Sequence, residues 1–198
     1  MKEVREQKAL LRRDLRTRLR SVPEAVRSAE AAGVMARLVV RPEWLEARRV
    51  MLFAPMPEEM DLWPLAGRAL REGRVLALPR FDRGTGQYQA AQVMDLERDV
   101  VTGSFGIREP RPGCAIQALN ELDFVLVPGL GFDARGRRLG RGKGYYDRLL
   151  TAVCGTACGV AMDWQVLPAI PAEPHDCCVD CILTPSRWLA VTRRSDDT

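Results

Sequence analysis

The chain has 198 residues, 46% of them hydrophobic and 28% charged, the composition of one soluble globular domain able to bury roughly 70% of its unfolded surface. The net charge of +4 is local, because residues 1 to 20 hold eight cations against three acids and the rest of the chain sums to −1, which argues against a whole surface built for nucleic acid or membrane. No apolar run approaches the 18 residues of a membrane span and no apolar segment follows the N-terminal charges, so a cytoplasmic protein with reduced cysteines is expected.

In chain order, residues 2 to 20 read as an amphipathic helix, with Val4, Leu11, Leu15 and Leu19 on one stripe and Lys8, Arg12, Arg16 and Arg20 on another. Ser21 and Glu24 have capping-box spacing, which predicts a second helix from about 23 to 40 that stops before Arg41-Pro42. Short apolar runs then alternate with helical patterns. The run 50 to 54 reads as a strand, 61 to 73 as a helix opened by Asp61 and closed by Gly73, and 75 to 78 as a second strand. The glycine- and proline-rich stretch 79 to 121 reads as a weak hairpin and a long surface loop. Phe124 to Pro128 is a third strand, followed by a loop, a helix from about 145 to 153 and a strand over 156 to 162. This rhythm predicts a single α/β domain over residues 1 to 198, three layers with a mostly parallel sheet between helices and an N-terminal helical pair.

The loop carries the chemistry. In RRLGRGKGYYDRLL, residues 137 to 150, glycines 140, 142 and 144 leave the main chain bare, while Arg138, Arg141 and Lys143 surround it with charge. Positive φ angles at glycine let successive N–H groups converge on one anion, and a helix starting at Tyr145 adds its own N-terminal amides. Polyphosphate is the guest this predicts. A P-loop is excluded, since Arg137 stands where its first Gly belongs and Gly144 where its Ser or Thr belongs; GxGxG is not the dinucleotide GxGxxG either.

VPGLGFDARGRRLGRGKGYYDRLL, residues 127 to 150, resembles the signature of the 5-formyltetrahydrofolate cyclo-ligase family. KALLRRDLR at 8 to 16, FAPMPEEMD at 53 to 61, GSFGIREP at 103 to 110 and PAEPHDCCVDCILTP at 171 to 185 fall in the family's order and spacing. The resemblance implies an α/β fold and the ATP- and Mg2+-dependent cyclisation of 5-formyltetrahydrofolate to 5,10-methenyltetrahydrofolate. It implies ATP contacts from Lys8, Ala9, Leu10, Leu11 and Arg12 and from Arg138, Leu139, Gly140, Arg141, Gly142, Lys143, Gly144, Tyr145 and Tyr146. The resemblance implies that Lys8, Arg141 and Lys143 are the catalytic cations. It further implies Mg2+ at Asp147 and Asp180, and folate at Ala54, Glu59 and Phe105, the last standing where relatives often carry Trp. Glu58 departs from a frequent Gly, and Pro185-Ser186 from a common acidic residue. A small-molecule folate is the expected partner, with no nucleic acid or membrane, in a monomer or weak homo-oligomer.

Other readings were weighed on the same residues. A hydrolase would need His175, the only histidine, without a GxSxG elbow. A zinc site from His175, Cys177, Cys178 and Cys181, with Cys154 and Cys158, lacks two clean CxxC knuckles. A nucleic-acid module could use the basic first helix and the RGKGYY loop, but the charge is confined. Arg16 and Arg20 read as a solvated face.

Overall fold

The computed structural model describes residues 2–82, 84–103 and 106–191. Helices α1 (Lys2–Ser21) and α2 (Glu24–Leu38) lead into a single turn, α3 (Pro42–Leu45). Then come β1 (Arg49–Met51), α4 (Pro64–Arg71), β2 (Val75–Asp82), β3 (Gln87–Val93), β4 (Val100–Thr102), β5 (Arg108–Pro110) and β6 (Ile116–Gln117). The second half holds β7 (Phe124–Pro128), β8 (Gly131–Asp133), β9 (Arg138–Leu139), α5 (Tyr145–Leu150), β10 (Thr156–Val160), β11 (Val166–Leu167), β12 (Cys181–Leu183) and β13 (Trp188–Ala190).

Eight strands form the main sheet in the order β13-β12-β10-β7-β1-β2-β3-β6. The five from β12 to β2 run parallel, and β13, β3 and β6 add antiparallel edges. Alternation sorts the strand residues between two layers. Val50, Leu76, Leu78, Leu126 and Val160 face α1, α2 and α4 through Leu15, Leu19, Val34, Leu38, Leu65 and Ala69. Met51, Ala77, Val125, Val127, Ala157 and Ile182 face the other way, onto Phe132 and onto Leu149 and Leu150 of α5. Both faces of the parallel strands are therefore covered, as such strands require. The α/β reading, with its mostly parallel sheet and N-terminal helical pair, holds.

Local readings differ in three places. Ser21 caps nothing downstream; its hydroxyl donates to Arg18 O at 2.7 Å and closes α1, while Pro23 takes the N-cap position of α2. Asp61 lies ahead of α4, accepting the Trp63 N–H at 2.9 Å, and the helix begins at Pro64. The weak hairpin is a long one, in which β2 and β3 pair over seven residues from Leu76↔Val93 to Asp82↔Gln87. Proline is tolerated there because β1 pairs with β2 only over Val75 to Ala77, so Pro79 lies where β2 has a single ladder partner.

Candidate active site

A cleft of about 1160 Å³ opens beyond the C-terminal ends of β1 and β7, floored by Phe53, Pro128 and Gly129. Ligand sites in open α/β sheets form at this end. One wall is α1, the opposite wall is the segment after β1, and the loop between β9 and α5 lies between them.

The loop is presented by a tight turn. Asp133 Oδ1 accepts the N–H groups of Arg135 and Arg137 at 2.9 and 3.1 Å, and its Oδ2 accepts that of Ile170 at 2.9 Å. Beyond the turn, Gly142 (φ 105°) and Gly144 (φ 62°) hold left-handed conformations that other residues rarely adopt. Gly140 is crowded instead, since a Cβ there would lie 2.5 Å from Arg138 Nη1 and would press on that guanidinium. The helix that follows is shorter than expected, six residues rather than nine, so its dipole is weak and side-chain cations carry most of the field.

Cations surround the loop. Arg12 Nε donates to Gly140 O at 3.0 Å and Arg16 Nη2 to Arg141 O at 2.7 Å, tying α1 to the loop's carbonyls. Arg5, Lys8, Arg12 and Arg16 recur at three- and four-residue spacing and all face the cleft. Burial, and then Arg16, lower the Arg12 pKa below its ordinary value, as expected where like charges crowd with few anions between them. Among the described residues, nine cationic side chains line the cleft against five carboxylates, a surplus matched to a polyanion.

Four of the five, Glu59, Asp147, Glu173 and Asp176, meet a cation. Arg138 Nη2 donates to Asp147 Oδ1 at 2.8 Å, and the pair is nearly buried. Lys8 Nζ, 3% exposed, donates to Glu173 Oε2 at 3.1 Å and to Asp176 Oδ2 at 2.5 Å. Arg141 reaches Glu59 and Glu58. Burial works against the charged guanidinium, but Glu59 and Glu58 outweigh it and raise the Arg141 pKa. Tyr146 presents a buried hydroxyl with no partner among the described residues, its ring under the Arg138 guanidinium at 5.6 Å. Burial pushes its phenol far above the ordinary range, so the hydroxyl keeps its proton and is able to donate. Tyr145 packs edge-on against Tyr88, ring centroids 4.7 Å apart, with Lys143 Nζ 5.7 Å above it.

Of the residues expected from sequence, Lys8, Arg12, Ala54, Glu59, Arg138, Gly140 to Tyr146 and Asp147 share this cleft. Ala9 and Leu10 are exposed, and Leu11 and Leu139 pack toward the core, so helical geometry leaves only Lys8 and Arg12 of the run 8 to 12 in place. Phe105 lies outside the described residues. Asp180 is a correction. It precedes β12 at the far end of the sheet, where its Oδ2 accepts the Ala157 N–H at 2.9 Å, and it cannot share a metal with Asp147. Asp176, four residues earlier, lines the cleft with Asp147, its neighbour Cys177 donating from Sγ to Asp147 O at 3.2 Å. The cysteines, set aside as a zinc site on spacing, form no metal-holding group among the described residues. Among the described residues, the group placed to hold a metal is Glu173, His175 and Asp176, with ligand atoms within 4.8 Å of one another.

Sequence reading missed Arg16, Glu173 and Asp176. The spacing of Arg16 from Lys8 and Arg12 was a usable signal for the first; no local pattern marked the other two.

Known proteins resemble this chain along nearly its whole length. A 5-formyltetrahydrofolate cyclo-ligase of Mycolicibacterium smegmatis is 35% identical over 94% of this chain and 97% of its own. The solved 5,10-methenyltetrahydrofolate synthetase of Aquifex aeolicus superposes with a TM-score of 0.84 at 33% identity, covering 96% of this chain and 95% of that one. The Mycoplasma pneumoniae synthetase shares the fold at a TM-score of 0.72, with 19% identity over 90% of this chain and 98% of its own. A model of the 5-formyltetrahydrofolate cyclo-ligase family matches residues 4–185, and the chain belongs to that family.

Proposed function

We propose that the protein joins ATP hydrolysis to ring closure of 5-formyltetrahydrofolate, releasing 5,10-methenyltetrahydrofolate, ADP and phosphate. The observation that carries this reading is one cleft holding both a glycine loop ringed by Arg138, Arg141 and Lys143 and, on its opposite wall, the carboxylate of Glu59.

The chemistry asks for such a site. A formamide carbon is unreactive because its oxygen is a poor leaving group. In the proposed path the formyl oxygen attacks the γ-phosphorus and ADP departs; the neighbouring amine then closes onto the activated carbon, and phosphate leaves with the oxygen. Phosphoryl transfer depends mainly on positioning and charge neutralisation. Lys143, Arg141 and Lys8 supply positive charge to the phosphates, with Lys8 moving across from Glu173 and Asp176. Glu59 accepts hydrogen bonds from the pterin's amide and amino edge. The Tyr146 hydroxyl, which keeps its proton, can donate to a substrate or phosphate oxygen. Asp147 and Asp176, with Glu173 beside them, are oxygen donors of the kind Mg2+ takes alongside phosphate; bound there, the ion would offset phosphate charge.

The direct experiment is incubation of the purified protein with 5-formyltetrahydrofolate, magnesium and ATP, following the near-ultraviolet absorbance of the cyclised product. Signal that requires all three components supports the proposal. No signal under any of these conditions overturns it. Thermal stabilisation by ATP with magnesium, set against RNA binding that weakens steeply with salt, separates this reading from a nucleic-acid module.

A further inference from the structure

Arg141 belongs to the glycine loop, yet its side chain is held from the opposite wall. Nη2 donates to Glu59 Oε1 at 2.6 Å and Nη1 to Glu58 Oε1 at 3.1 Å, so one planar fork grips two carboxylates instead of one carboxylate twice. Glu59 lines the cleft and Glu58 does not. Its side-chain contact toward the site is Arg141. The second oxygen of Glu59 is also engaged, accepting the Met56 N–H at 3.0 Å. All three side chains are at most 30% exposed, so an unpaired charge among them would be poorly solvated.

We infer that Glu58 is a positioning residue that couples the binding of the two substrates, keeping Arg141 in the cleft while its bond to Glu59 is exchanged. The inference rests on the proposed function for the identity of those substrates. A triphosphate oxygen that takes Nη2 strips Glu59 of its counter-charge, and leaving a half-buried carboxylate unpaired is costly. The donor edge of a pterin removes that cost. Conversely, a pterin seated on Glu59 releases Nη2 to phosphate. Each substrate relieves the penalty that the other meets, and linkage makes the coupling reciprocal. The exchange needs a second anchor, because without Glu58 a guanidinium released from Glu59 regains its rotamers instead of turning to phosphate. Glu58 holds Nη1 throughout.

The test uses the full chain, a non-hydrolysable ATP analogue with magnesium, and 5-formyltetrahydrofolate. Each ligand is titrated with and without the other. In the unaltered protein each tightens the other by roughly tenfold, within the usual range of coupling. Glu58→Gln, close in shape but uncharged, brings that factor toward one while affinity for each ligand alone changes less than the factor does. Glu58→Asp retains charge and restores part of the coupling; thermal melts check that both variants fold. Full coupling in Glu58→Gln overturns the inference and leaves the functional reading standing. Equal loss in Glu58→Asp and Glu58→Gln also overturns it, since packing rather than charge would then be at issue. Absence of ATP-dependent product from the unaltered protein removes the functional reading and this inference together.

Discussion

At the N-terminal end of the parallel strands, carboxylates are held by the backbone. Asp123 Oδ2 accepts the N–H groups of Arg48 and Arg49 at 2.8 and 2.7 Å, stitching β7 to β1, and Asp180 does the same between β12 and β10 through Ala157. At the C-terminal end, Asp147, Glu59, Glu173 and Asp176 are held by Arg138, Arg141 and Lys8. A backbone amide is locked in place by its ladder and cannot be lent to a ligand. A side-chain cation turns about rotatable bonds and can pass to phosphate. Asp123 and Asp180 thus brace the strand starts, while the cleft carboxylates also hold side-chain cations that a polyanion could draw away.

The largest expected break lies at the cleft. Lys143→Ala should lower turnover on the order of 10²- to 10³-fold, the usual cost of losing one preorganised donor to transition-state charge, with little change in melting temperature. Undiminished turnover would remove the loop from the reaction. Asp176→Ala and Asp180→Ala then test the comparison directly. The first should raise the magnesium concentration needed for half-maximal turnover. The second should leave that requirement alone and cost about 1–3 kcal/mol of stability in chemical denaturation, through an orphaned Ala157 amide. The opposite pattern would invert the assignment of the two sheet ends. Asp123→Ala frees the amides of the exposed Arg48 and Arg49, which water can take over, so it should destabilise less than Asp180→Ala with the same indifference in turnover.

Much of the frame was legible because it rests on local patterns. Phe124 to Pro128 is apolar at every position because β7 is covered on both faces, and its bounds emerge unchanged in the structure. The glycine loop was legible because positive φ at 142 and 144, and the closeness of Arg138 to 140, favour glycine at each. What escaped depends on packing across long sequence separations. Lys8 and Glu173 are 165 residues apart, and Arg141 and Glu58 are 83. Asp176 and Asp180 flank an irregular segment that follows neither a helical nor a strand period, so only the start of β12 decides which one reaches the cleft. Arg16 looked like a solvated face because a helix stripe does not reveal that a loop will close over it.

The smallest expected effect reports on the same exchange of partners. Lys8's hydrogen bond, and after it that of Arg5, hold the Glu173 carboxyl below its ordinary value of 4.5. With the folded value depressed, the stability this contact contributes is fully present above pH 4.5 and is lost as pH falls through the lowered value. Melting temperature should therefore decline on acidification below that point, and Lys8→Met should flatten the decline. Saturating ATP supplies the sharper test. If Lys8 crosses to phosphate, Glu173 gives up its first partner and the acid limb should flatten in the unaltered protein as well. An acid limb equally steep with and without nucleotide would mean that Lys8 stays on its carboxylates, and that this end of the sheet is held as rigidly as the other.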